Sequence, residues 1–130
     1  MITATSSRGF RASSPRILIA DDDPGVLAAL ATRLRGRFRV VTVGDGEALL
    51  EELDAEGPMD LLVIDLVMPR VGGGEALAAL RARGDTTPVI AMSGDGHRLA
   101  EARALGADET LTKPFGLGAL EEKIDRLLFS

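Results

Sequence analysis

The sequence predicts an α/β fold in which five parallel strands form one sheet and five helices cover both its faces. Three observations lead there. Short apolar runs rich in β-branched residues alternate with longer stretches of helical periodicity. Most of the runs are apolar throughout, as strands buried on both faces are. Turn-forming residues bound most of them.

The first run, residues 17–20, ends in three aspartates, Asp21, Asp22 and Asp23. Asp23 suits the N-cap of a helix, Pro24 its first turn and Gly36 its exit. Between them Val26, Leu27, Leu30 and Leu34 fall on one face. Residues 38–43 make a second strand, followed by a helix over about residues 46–55. Residues 61–64 make a third strand, with a helix over about residues 75–83. Residues 89–92 make the fourth, with a helix over about residues 98–105. The fifth is Glu109–Thr112. In the closing helix Leu117, Leu120, Ile124, Leu127 and Leu128 share one side, which leaves Glu121, Glu122, Asp125 and Arg126 for water.

Right-handed crossovers leave few ways to order such strands. The expected order is 2-1-3-4-5, the flavodoxin-like form of a doubly wound sheet. Ligands in that form bind beyond the carboxyl ends of the strands, at the switch point between strands 1 and 3.

Composition narrows the function. The 130 residues fit one domain, and the 45% that are hydrophobic are enough for a core. Only 3% are aromatic, so the core is aliphatic. The absence of cysteine excludes disulfides and thiolate chemistry. A formal charge of −5 argues against direct nucleic-acid binding, which needs a basic surface. No apolar stretch is long enough to span a bilayer. Residues 1–14 are rich in Ser and Thr, with Arg8 and Arg11 and no acid. They read as a flexible N-terminal tail or a cloning remnant, being too short and too aperiodic for a transit peptide. Residues 15–130 are then the folded domain.

The carboxyl ends of the strands carry the chemistry. Strand 1 ends in Asp21, Asp22 and Asp23, strand 3 in Asp65, strand 4 in Ser93 and strand 5 in Lys113 followed by Pro114. The fold brings these groups to one edge. Carboxylates from neighbouring strands repel one another unless a cation lies among them. A hard divalent ion such as Mg²⁺ (or Mn²⁺) suits an all-oxygen set. A single aspartate at a strand end is ordinarily just solvated, and Asp23 is accounted for as a cap. Two acids, a hydroxyl and a lysine together supply what phosphoryl transfer needs: a nucleophile, a metal site and groups to hold the phosphoryl oxygens.

The segments around these residues resemble one family. Arg16-Ile-Leu-Ile-Ala-Asp21-Asp22-Asp23-Pro24 is similar to the opening of bacterial response-regulator receiver domains, the CheY-like superfamily of two-component signalling. Asp60-Leu-Leu-Val-Ile-Asp65-Leu-Val-Met68-Pro69 resembles their phosphoacceptor segment, and Val89-Ile-Ala-Met-Ser93-Gly94 their fourth strand. Gly106-Ala107-Asp108 and Leu111-Thr112-Lys113-Pro114-Phe115 resemble their fifth strand and lysine. The resemblance runs from about Pro15 to the C-terminus.

It implies that Asp65 becomes an aspartyl phosphate. Asp22 would hold the metal directly, Asp21 mainly through water, and Val67 would offer its backbone carbonyl. Ser93 and Lys113 would contact the phosphoryl oxygens, and the Lys113–Pro114 bond would be cis. The implied donor is a sensor histidine kinase or a histidine phosphotransfer protein, in the cytoplasm, with an output partner of unspecified kind. The protein would be a monomer or a weak phosphorylation-dependent dimer without membrane contact, and not an enzyme beyond its own phosphorylation and dephosphorylation. His97, the only histidine, is read as solvated, because the donor histidine of this family belongs to the partner.

Two positions depart from the pattern. The residue three before the lysine, usually an aromatic that reports phosphorylation, is Thr110. Gly72-Gly73 stands where an aspartate–glycine pair is usual, which suggests a more mobile loop over Gly72, Gly73 and Gly74. Two other readings compete. A haloacid-dehalogenase-type phosphatase would use Asp21 and Asp23, two positions apart, but lacks the acids such enzymes need after the lysine. A degenerate receiver used only for docking would not need the intact acid–hydroxyl–lysine set.

Overall fold

A computed structural model of the chain describes residues 14–130, so the expected tail over residues 1–14 lies outside the described residues save Ser14. Ten elements alternate without exception: β1 (Arg16–Ala20), α1 (Pro24–Leu34), β2 (Arg39–Val43), α2 (Gly46–Glu56), β3 (Leu61–Asp65), α3 (Gly73–Ala82), β4 (Val89–Ser93), α4 (Gly96–Ala104), β5 (Glu109–Thr112) and α5 (Leu117–Phe129). The strands are all parallel, in the order β2-β1-β3-β4-β5. The chain therefore has the flavodoxin-like, doubly wound fold expected from its sequence.

The two-residue period of the strands divides the core in two. Leu18, Ala20, Leu62, Ile64, Val89 and Ala91 face one side, where they meet Leu49 and Leu53 of α2, Leu77 and Leu80 of α3, and Leu99 of α4. Ile17, Ile19, Leu61, Val63, Ile90 and Met92 face the other, against Leu30 and Leu34 of α1 and Leu120 and Ile124 of α5. Strands β1, β3 and β4 are thus apolar at nearly every position because each residue meets one helical layer or the other. Phe38, expected in the second strand, instead precedes β2 and is buried beneath the end of α1.

The helix ends follow their capping residues. Asp23 accepts hydrogen bonds from the backbone N–H of Gly25 and Val26, as expected for an N-cap. Asp45 does the same for Ala48, and Asp95 for His97, which starts α4 two residues earlier than periodicity indicated. Helix α3 also starts early, at Gly73, with Gly72 at its N-cap. A glycine has no side chain to cap with, so the only side-chain bond there is Glu75 accepting from the Gly72 N–H.

Two expectations are corrected. Gly73 and Gly74 belong to the first turn of α3 and not to a loop. A Cβ on Gly73 would lie 2.2 Å from the Asp65 carbonyl oxygen, so the missing side chain lets the helix start directly against the end of β3. On α5, Glu121 and Asp125 do not simply face water. Arg33, in the last turn of α1, and Arg37, in the turn that follows it, pair with them at 2.8 and 2.7 Å. Among the described residues no helix is long and apolar enough to cross a membrane.

Candidate functional site

Strands β1, β3 and β4 end side by side, and their parallel register brings Asp21, Asp65 and Ser93 to the carboxyl edge of the sheet. All three are buried, with Asp21 wholly inaccessible. Lys113 reaches the same place because its backbone N–H continues the β4–β5 ladder, bonding the Ser93 carbonyl at 2.9 Å. The Lys113–Pro114 peptide is cis, as the resemblance implied.

The Lys113 ammonium bridges the two buried acids. Its Nζ is 2.8 Å from Asp21 Oδ2 and 3.1 Å from Asp65 Oδ2. The other oxygens accept from the backbone: Asp21 Oδ1 from the Asp23 N–H at 2.9 Å, and Asp65 Oδ1 from the Val67 N–H at 3.1 Å. Both acids are thus oriented by tight turns at the ends of their strands. Ser93 Oγ accepts the Asp95 N–H at 3.0 Å, which fixes the turn into α4.

Burial and pairing act in opposite directions at this site. Burial, the largest influence, pushes the pKa of Asp65 up. The Val67 N–H and Lys113 oppose that rise, while the Asp21 charge adds to it. Burial also disfavours the Lys113 ammonium, but its bonds to Asp21 and Asp65 outweigh this and raise its pKa.

Asp22, exposed beside Asp21, completes an acidic group: Asp21, Asp22 and Asp65 each present a carboxylate oxygen, all within 4.8 Å of one another. Three carboxylates against one ammonium make an all-oxygen, acid-rich donor set suited to a divalent cation. Asp23 is not in that group. Its carboxylate is turned to the N-terminus of α1, which removes the Asp21–Asp23 pair that a dehalogenase-type phosphatase would use.

The structure therefore unites Asp21, Asp22, Asp65 and Lys113, with Ser93 on the adjoining strand. Val67 meets the site through its backbone N–H on Asp65 Oδ1, and the residue is otherwise exposed. His97 is exposed, and its described contact is its backbone N–H to Asp95. Two residues that sequence reasoning did not single out lie at the margin. Arg70 follows Val67 in the loop leaving β3 and pairs with the buried Asp45 at the N-terminus of α2. A helix is expected from about residue 46, but nothing local links the residue before it to Arg70, which lies 25 residues away.

Comparison with known proteins gives a consistent answer. The response regulator receiver domain family matches residues 17–125. The chain is 39% identical over 118 residues to the transcriptional activator protein PfeR of Pseudomonas aeruginosa, spanning 88% of this chain and 38% of that protein. It is 39% identical over 120 residues to the transcriptional regulatory protein PrrA of Mycobacterium tuberculosis, spanning 89% of this chain and 51% of that one. The chain thus spans about half the length, or less, of these relatives. Among solved structures, the receiver domain of Francisella response regulator 1452 superposes with a TM-score of 0.81 at 31% identity, covering 88% of this chain and 96% of that domain.

Proposed function

The chain belongs to the response-regulator receiver domain family and acts as a receiver in phosphorelay signalling; from that premise we propose that Asp65 is its phosphoacceptor. The observation that carries this reading is the position of Asp65. It ends the central strand β3 and shares Lys113 with Asp21, but unlike the wholly inaccessible Asp21 it keeps some exposure at the carboxyl edge, within the reach of Asp21 and Asp22.

Family membership implies a histidine kinase or a histidine phosphotransfer protein as donor. The chemistry is then a displacement. An Asp65 carboxylate oxygen forms a bond to phosphorus as the phosphorus–nitrogen bond of a phosphohistidine breaks, and the departing imidazole keeps the electron pair and takes a proton from water. Lys113 meets charge on the phosphoryl oxygens, and its release from Asp65 Oδ2 frees the oxygen it now covers. Ser93 donates to another phosphoryl oxygen by turning its hydroxyl.

The acidic group would hold the metal, Mg²⁺ or Mn²⁺, through Asp22 and Asp65, with Asp21 acting through water and the Val67 carbonyl completing the set. When bound, that ion neutralises charge on nucleophile and phosphoryl group together. The receiver unit is taken as residues 15–130, in the cytoplasm, where the kinase domains that would serve it act. Its output would be a change of partner when Asp65 is phosphorylated.

The test is phosphate uptake from acetyl phosphate by the parent protein and by Asp65→Asn. The expected result is stoichiometric uptake by the parent and none by the variant, with unchanged circular dichroism. Uptake by Asp65→Asn would move the acceptor elsewhere. Sustained release of phosphate from a generic phosphomonoester would favour a phosphatase instead.

A further inference from the structure

We infer that Arg70 is a positioning residue for phosphorylation: through Asp45 it fixes the β3–α3 loop, and with it the Val67 N–H that orients the Asp65 carboxylate. The inference rests on the assignment of Asp65 as acceptor.

Four observations converge on this loop. Arg70 is the only non-glycine residue with positive φ among the described residues, at 64°. A side chain in the left-handed region is unfavourable by itself and persists where surrounding contacts determine it. The contact here is an ion pair between the Arg70 guanidinium and Asp45 Oδ2, with Glu47 Oε1 a further 3.7 Å from Arg70 Nε. Asp45 is itself fixed, since its other oxygen caps α2 by accepting the Ala48 N–H at 2.7 Å. That bond, and then Arg70, hold its pKa below the ordinary carboxylate value.

The next residue is tied to the same helix end. The Gly46 N–H donates to the Val71 carbonyl at 2.9 Å, and a Cβ on Gly46 would lie 2.2 Å from that oxygen. Only glycine permits the approach.

The loop therefore has one end on Asp65, through the Val67 N–H, and the other on the N-terminus of α2. Its exit into α3 has no side-chain cap, because Gly72 occupies the N-cap. The fixing that an N-cap side chain would supply from inside the loop comes from outside it, from Asp45. Arg70 touches no reacting atom. It acts by restricting where Val67 sits.

The pair is open to solvent on the arginine side, whose side chain is 63% exposed, so its effect is modest. Arg70→Gly removes the ion pair while suiting the positive φ, and Asp45→Asn removes the charge while keeping an acceptor for the Ala48 N–H. The experiment measures phosphate uptake from acetyl phosphate at saturating Mg²⁺ for the parent, both single variants, the double variant and Asp65→Asn. In parallel it follows the amide resonances of Val67, Gly46 and, as a remote control, Leu80.

The expected result is a rate lowered roughly two- to fivefold in each single variant, and no lower in the double variant. The Val67 and Gly46 resonances should shift while Leu80 stays in place. A parent rate in Arg70→Gly, or losses that simply add in the double variant, would overturn the positioning role while Asp65 stands. Uptake by Asp65→Asn would overturn the assignment beneath it.

Discussion

Every residue of β3 is buried, and the loop that leaves it is held by the Val67 N–H on Asp65, by Gly73 packed under the Asp65 carbonyl and by Arg70 on Asp45. Strand β5, at the sheet edge, has only Leu111 buried. Its Glu109 is gripped by Lys123 and Arg126 at 3.3 and 3.2 Å, and its Thr110 is reached by Arg103 at 3.5 Å, the limit of a hydrogen bond. The proposed acceptor, Asp65, thus sits where close packing leaves its surroundings little freedom. The edge that would carry a response is held by partly exposed ion pairs, which exchange partners at little cost. A receiver needs both: a rigid place for the chemistry and a pliable place for its consequences.

The sharpest way to break the contrast is to spoil the packing under Asp65. Gly73→Ala puts a methyl 2.2 Å from the Asp65 carbonyl and 2.8 Å from the Leu66 Cα, neither of which can move aside as a side-chain tip would. It should destabilise the domain by roughly 1–3 kcal/mol. Gly74→Ala, whose nearest contact is Leu105 Cδ1 at 4.0 Å, should be neutral or stabilising by up to about 1 kcal/mol, since alanine favours helix. Urea unfolding of the two variants side by side checks this. Equal midpoints would show that the end of β3 is not closely packed.

Next in size is the metal linkage. A divalent ion that binds only the folded protein stabilises it by about 1.4 kcal/mol at ten times its Kd. Asp22→Ala should remove most of that gain, because Asp22 is the exposed member of the acidic group and has no part in the core. Thermal unfolding with and without millimolar Mg²⁺ measures it. A parent melting temperature indifferent to Mg²⁺ would count against the site.

The edge can be probed through acid. Burial disfavours the Glu109 carboxylate, but the bonds from Lys123 and Arg126 outweigh it, so its pKa lies below the ordinary 4.5. A depressed carboxylate stabilises the fold above its unfolded pKa, and that stability is lost as pH falls through the folded value. Glu109→Gln should therefore be less stable than the parent at pH 7, by less than about 1 kcal/mol, and the gap should close on acidification below about pH 4.5. A gap that stays the same size down to the onset of acid unfolding would mean that Glu109 contributes by packing and not by charge.

The contrast also explains which features could be read from the sequence. Strands β1, β3 and β4 were legible because burial on both faces leaves continuous apolar runs, and Asp21, Asp65, Ser93 and Lys113 were legible because they terminate strands. Asp23 announced its cap through Pro24 beside it. The start of α3 was not legible: three consecutive glycines argue for a loop on propensity, and only the carbonyl of Asp65 lying against Gly73 shows why a helix begins there. The Arg70–Asp45 pair and the bonds from Arg33 and Arg37 to α5 join residues far apart in sequence. Charges on a helix surface look solvated until the neighbouring helix is in place.

The smallest expected effect falls on Thr110. In the family pattern its position carries an aromatic ring whose movement between buried and exposed states reports phosphorylation. A ligand can shift an equilibrium only by its differential interaction with the two states, and a threonine has little area to move out of water. Here the side chain is half-buried and has one long hydrogen bond, from Arg103 of α4. Thr110→Ala should thus change stability by less than about 0.5 kcal/mol and leave the response to phosphorylation intact. That response has to begin where groups must rearrange to admit a phosphoryl group. Lys113 must leave Asp65 Oδ2, and the Ser93 hydroxyl must turn, which loosens its hold on the Asp95 N–H and the start of α4. Amide shifts on adding beryllofluoride should concentrate at residues 67–74 and 93–97 and weaken along β5, with the same map in Thr110→Ala. Large shifts centred on Thr110 and α5 that vanish in Thr110→Ala would show that the threonine transmits the signal after all. They would also place the pliable element of the edge in β5 itself and not in the turn that precedes α4.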